Sequence, residues 1–135
     1  MNNYKDIIDA AIKARSNAYA PYSNFLVGAA AKFADGSIVL GCNVENISYG
    51  LSNCAERSCL FSCISQGYDT KKIVEFCIVG STEDPISPCG ACRQVMFELL
   101  DPNTTIILSN LKGQFSTHTV KELLPLSFKE IEHVI

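Results

Sequence analysis

Asn53-Cys54-Ala55-Glu56-Arg57 and, further along, Ser87-Pro88-Cys89-Gly90-Ala91-Cys92 are the stretches around which this chain is organised. Each stands where a loop gives way to a helix. Ser48 to Asn53 reads as loop and Ala55 to Gln66 as helix, while Gly90 opens a second helical pattern reaching about Leu100. The spacing Cys89-x-x-Cys92 lets two sulfurs at one helix start bind a single metal, and Cys54 is the candidate third sulfur from the other helix start. Soft thiolates select zinc, and three protein ligands instead of four keep a position open for water, as catalytic zinc requires. Three thiolates would leave such an ion electron-rich, which the positive ends of two helix dipoles and the Arg57 guanidinium can offset. Glu56 then has a role, because two residues from a ligand it can take a proton from a bound water whose pKa falls towards ~7. Cys89-x-x-Cys92 alone would also suit a redox dithiol or half of a structural zinc knuckle, but neither needs Glu56 or Pro88.

Outward from these stretches the pattern is α/β. Tyr4 to Tyr19 carries Ile7, Ile8, Ala11, Ile12, Ala14, Arg15 and Ala18 at helical spacing and stops before Pro21. Phe25 to Ala34 reads as a strand of small residues, Asp35-Gly36 as a hairpin turn, and Ser37 to Asn43 as an antiparallel partner. Gly67 is the expected stop of the helix that begins at Ala55. Ile73 to Gly80 is nearly continuously apolar and suits a central strand covered on both faces. The helix from Gly90 turns Val95, Met96, Leu99 and Leu100 to the sheet. Thr104 to Ser109 is a fourth strand and Phe115 to Thr119, after a turn at Gly113, a short fifth; Val120 to Leu124 starts a last helical turn before Pro125. The expected architecture is a three-layer α-β-α domain over residues 1–135. Its mixed five-stranded sheet would be mostly parallel after the opening hairpin, with the two cysteine-bearing helices leaving it side by side.

Composition narrows the partners. A net charge of -3 provides no basic stripe for phosphates, so nucleic acid is not the expected partner and a free small molecule is. No apolar run is long enough to span a membrane, and the polar start Met1-Asn2-Asn3-Tyr4-Lys5-Asp6 lacks a signal peptide's apolar core. Seven cysteines, an odd number, point to a reducing cytoplasm with thiols free or on metal. Cys42, Cys59, Cys63 and Cys77 are then read as small buried hydrophobes.

With these residues in hand, the chain resembles the short homotetrameric cytidine deaminases over nearly its full length. Four stretches carry the likeness: Tyr22-Ser23-Asn24-Phe25 with Val27-Gly28-Ala29-Ala30; Gly41-Cys42-Asn43-Val44-Glu45-Asn46; Cys54-Ala55-Glu56-Arg57; and Pro88-Cys89-Gly90-Ala91-Cys92-Arg93-Gln94. The resemblance implies hydrolysis of cytidine and 2'-deoxycytidine to the uridine counterparts and ammonia, in pyrimidine salvage. It implies one zinc per chain on Cys54, Cys89 and Cys92, with Glu56 as catalytic acid/base and Arg57 tuning the metal. Phe25 would face the pyrimidine ring, Asn43 and Glu45 the ribose hydroxyls, and the Ala55 main-chain N–H the pyrimidine carbonyl. Tyr49 and Phe128 match positions that reach a neighbouring subunit's site, so a homotetramer with shared sites is implied. Cys59, Cys63 and the tail Lys129 to Ile135 depart from the family pattern. A deaminase of a cytosine-containing antibiotic and a binding module built on structural zinc are the rival readings; the first shares the zinc motifs, the second requires a fourth protein ligand.

Overall fold

The computed structural model describes residues 3–127, so Phe128 and the tail lie outside the described residues. A five-stranded sheet in the order β2-β1-β3-β4-β5 forms its centre. The strands are β1 (Val27–Phe33), β2 (Ile38–Cys42), β3 (Ile73–Gly80), β4 (Thr105–Asn110) and β5 (Phe115–Thr119). Helix α1 (Lys5–Arg15) covers one face; α2 (Ala55–Ser65), α3 (Gly90–Leu99) and α4 (Val120–Leu123) belong to the other.

The alternation of strand residues makes two cores. Ala30 of β1, Cys77 and Val79 of β3 and Ile107 of β4 point to α1, where they meet Ile7, Ile8 and Ala11. Ala29 and Ala31, Phe76 and Ile78, and Ile106 and Leu108 point the other way, against Cys59, Leu60, Cys63, Met96 and Leu100. The central strand is thus apolar on both faces, and each of its fully buried large side chains contributes about 1.5–3 kcal/mol. Small residues set the helix distances. A Cβ at Gly28 would lie 2.0 Å from the Ala11 carbonyl oxygen, and one at Gly41 would lie 2.4 Å from the Cys59 nitrogen, so α1 and α2 touch the sheet backbone on backbone.

β1 pairs antiparallel with both β2 and β3, and β3 with β4 is the parallel pair. Parallel pairing is therefore confined to β3 and β4, because β5 returns antiparallel to β4 through the short turn between Asn110 and Phe115. So short a connection cannot carry a crossover, and the Asn110 side chain fastens that turn by accepting from Lys112 N and Gln114 N. Helix α1 ends at Arg15, short of the expected Tyr19, because the Tyr19 N–H is taken by the Asn43 carbonyl and the Arg15 Nε by the Leu26 carbonyl. No helix among the described residues is long and apolar enough to cross a membrane.

Candidate active site

Cys54 and Cys89 are the N-cap residues of α2 and α3, so two helix starts face each other with a sulfur on each. The crossover from β3 to β4 lays α3 beside α2, which is why residues so distant in sequence meet. Cys54 Sγ lies 3.9 Å from Cys89 Sγ, and Cys89 Sγ 3.3 Å from Cys92 Sγ; all three fall within 4.8 Å of one another. A tetrahedral zinc with Zn–S bonds of about 2.3 Å would set its sulfurs about 3.8 Å apart, so this donor set fits the ion in number, softness and spacing. Among the described residues the cluster holds three cysteines and no fourth ligand. Cys92 is buried behind the cluster while Cys89 is exposed and Cys54 half-buried, and the latter two line a cavity of about 280 Å³.

The charges are arranged unevenly. Hydrogen bonding from Cys92 and then from Arg57 holds the Cys54 thiol down at about 5 against the pull of burial. The same contact with Cys54, reinforced by burial, pushes Cys92 up. Without metal, then, the negative charge sits on Cys54, beside the Arg57 guanidinium whose Nη2 donates to Cys54 Sγ at 3.3 Å. Among the described residues Arg57 Nε is buried without a hydrogen-bond partner, and the cation's contact with the cluster runs through Nη2. Glu56, 5 % exposed, also lines the cavity. Burial raises its carboxyl above the ordinary range, the Cys54 charge adds to this, and Arg57 opposes it. A carboxyl kept readily protonated beside the Cys54 thiolate is suited to carry a proton.

Phe25, Asn43, Glu45 and Ala55 line the same cavity, together with Ser23, Val27, Ile86 and Ser87. Ala55 is the first residue of α2, where a main-chain N–H has no partner within the helix. Asn43 to Glu45 is bridged to Tyr19 on one side and to Asn53 on the other, so the polar pair is registered against the residue preceding Cys54. Both polar ends are also tied internally. Asn43 Nδ2 donates to the Phe25 carbonyl at 2.9 Å and its Oδ1 accepts from Val27 N at 2.8 Å. The Glu45 carboxylate accepts from Tyr22 N, Ser23 N and Ser23 Oγ, and the Ser23 bond above all holds its pKa below the usual range. Tyr49 lies apart from this cavity, 81 % exposed, and lines a neighbouring one of about 210 Å³ with Tyr22, Ser23, Glu45, Asn46 and Ser52.

Sequence reasoning quoted Ser23, Ser87 and Arg93 within its motifs but gave none of them a role, and it passed over Ile86. Arg93 Nε donates to the Pro88 carbonyl at 3.0 Å, Nη2 to Ser87 Oγ at 2.8 Å and Nη1 to the Leu123 carbonyl at 2.9 Å, which pins the loop bearing Cys89 to α4. Its place directly after Cys92 was the available signal; its partners are set by folding.

Three thiols on two helix starts with a buried carboxyl at an open cavity suit a metal-dependent hydrolase. Residues 1–108 match the family described as "Cytidine and deoxycytidylate deaminase zinc-binding region". The chain is 51% identical to the cytidine deaminase of Halalkalibacterium halodurans, over 90% of this chain and 91% of that protein. It is 48% identical to that of Sporosarcina psychrophila, over 87% and 85%. The crystal structure of cytidine deaminase from Burkholderia pseudomallei superposes with a TM-score of 0.90 at 50% identity, covering 95% of this chain and 100% of that one. This chain belongs to the cytidine deaminase family.

Proposed function

We propose that this chain hydrolyses cytidine and 2'-deoxycytidine to uridine and 2'-deoxyuridine with release of ammonia, a salvage reaction, and that residues 1–135 act as one catalytic unit. The observation that carries the reading is the convergence of Cys54, Cys89 and Glu56 on one cavity with Phe25, Asn43 and Glu45. Cys54, Cys89 and Cys92 would hold one zinc, which when bound polarises a water for attack on the amino-bearing ring carbon. Glu56 accepts the proton that this water gives up and delivers it to the adjacent ring nitrogen, which makes the carbon electrophilic. The same carboxyl then takes the second proton of that water, from the hydroxyl now on the ring carbon, and gives it to the departing amine, so that a carbonyl is left and ammonia departs. Burial of Glu56 serves both transfers, since a carboxyl desolvated in this way gives up its charge readily and bulk water does not compete for the proton. Arg57 restrains the basicity of the Cys54 sulfur. The Phe25 ring forms an apolar wall for the base, the Ala55 N–H meets the pyrimidine carbonyl, and Asn43 and Glu45 receive the sugar.

The neighbouring cavity supports a homotetramer. Tyr49 lines it, 81 % exposed, and Ile47 and Leu51, its near neighbours in sequence, are 78 and 71 % exposed, apolar side chains suited to cover by another subunit. In that assembly Tyr49, and Phe128 from outside the described residues, reach a neighbouring site. All seven cysteines are free thiols, which suits a cytoplasmic setting. Initial rates on cytidine with zinc-loaded protein test the reading: ammonia and uridine formed in equal amounts support it, and no product with one zinc per chain overturns it.

A further inference from the structure

The segment from Tyr22 to Val27 passes in front of the cavity and is fastened by two side chains, Asn43 and Glu45. Asn43 brackets Phe25 from the far end, through the Phe25 carbonyl and the Val27 N–H. Glu45 holds the near end, with Oε1 accepting from Tyr22 N at 3.0 Å and Ser23 N at 3.2 Å and Oε2 accepting from Ser23 Oγ. The circuit closes through one hydroxyl: Ser23 Oγ donates to Glu45 and accepts from Phe25 N at 3.0 Å. A serine hydroxyl, one donor with two lone pairs, can do both at once. Ser23 and Glu45 also stand on both cavities, where these adjoin.

Resting on the reading that Glu45 receives the sugar and Phe25 the base, we propose that Ser23 is a positioning residue that joins the two recognitions into one hydrogen-bonded unit. A carboxylate has roughly four lone-pair sites. Three are occupied within the loop, which leaves one on Oε2 for a sugar hydroxyl, and Ser23 aims that oxygen. Without this bond the carboxylate would still be held through Oε1 by Tyr22 N and Ser23 N, but Oε2 would lose its fixed direction and would have to be ordered again at each binding event. Because Ser23 also holds the Phe25 N–H, a nucleoside that engages the carboxylate meets a ring wall already in place. None of these bonds involves the three sulfurs or Glu56, so Ser23 acts on binding and not on the chemical step.

Initial-rate kinetics on cytidine and on 2',3'-dideoxycytidine, with uridine affinity by calorimetry, test this in wild type, Ser23→Ala, Ser23→Thr and Glu45→Ala. Ser23→Ala is expected to raise KM for cytidine about tenfold, the scale of one lost hydrogen bond to a charged group. It is expected to hold kcat within about twofold and to weaken uridine binding in parallel, since both read ground-state binding. The dideoxy substrate, lacking the hydroxyls, should lose less than about threefold, and Ser23→Thr, which keeps the hydroxyl, should behave as wild type. If Glu45→Ala raises KM for cytidine and Ser23→Ala does not, the role of Ser23 is refuted while the sugar reading stands. If neither raises it, both fall. Equal losses on the two substrates, or a fall in kcat together with melting temperature, would reduce Ser23 to ordinary loop structure and overturn the proposal.

Discussion

At the scale of single residues the site is a balance of charge around three sulfurs. Glu56→Gln keeps the shape of the carboxyl but cannot shuttle a proton, so turnover should fall at least ~100-fold with zinc content and melting temperature unchanged; near-normal turnover would remove Glu56 from the chemistry. Arg57→Gln withdraws the cation 3.3 Å from Cys54 Sγ and leaves a more electron-rich metal site. Turnover should drop about tenfold with folding retained, the range seen when an outer partner of a metal ligand is lost; unchanged kinetics would show that Arg57 does not tune the centre. Cys54, held at about 5, is a thiolate at pH 7 in metal-free protein and becomes a thiol only as pH falls through that value. Burial pushes Cys77 up to about 12, so it stays protonated. Iodoacetamide should therefore modify Cys54 before Cys77 after zinc removal, and zinc should protect Cys54; peptide mapping reads the order. These residues were legible in sequence because metal chemistry demands particular side chains at particular spacings. Ser23 and the internal bonds of Asn43 and Glu45 were not, since a hydroxyl or amide in a loop has many possible partners and folding alone selects among them.

At the scale of elements, two close packings place the helix starts. Gly41 meets the Cys59 backbone, a contact that no side chain at residue 41 can share, so Gly41→Ala must move α2 and with it Cys54. Thermal unfolding should show a loss of about 3 kcal/mol, at the upper end for an overpacked core, with zinc affinity reduced; a melting temperature equal to wild type would mean the contact is looser than the backbone indicates. Arg93→Ala frees Pro88 and Ser87 from α4, so zinc dissociation measured with a chelating dye should accelerate. The strands and helices themselves were largely visible: Ile73–Gly80 falls where its apolar run places it, and Cys54 caps α2 where the loop ends. The direction of β5 was not, because alternation marks a strand without its polarity; only the shortness of the turn after Asn110 forces it back antiparallel.

At the scale of the whole molecule, both cores, the crossover from β3 to β4 and the two helix starts serve one arrangement, three thiols beside a buried carboxyl. The exposed side chains of Ile47, Tyr49 and Leu51 belong to the same scale, as the surface that the proposed assembly would cover. Sedimentation of the zinc-loaded protein should give a tetramer, and a stable active monomer would withdraw the shared site and the part of Tyr49 in it. Cytidine deamination driven by Glu56 is tested most simply by the ultraviolet absorbance of cytidine, followed beside wild-type protein and its Glu56→Ala variant, each loaded with one zinc per chain. The cytidine band should decline with wild type and persist with the variant. A band that persists with both, or declines equally with both, would contradict the assignment of the reaction to this site.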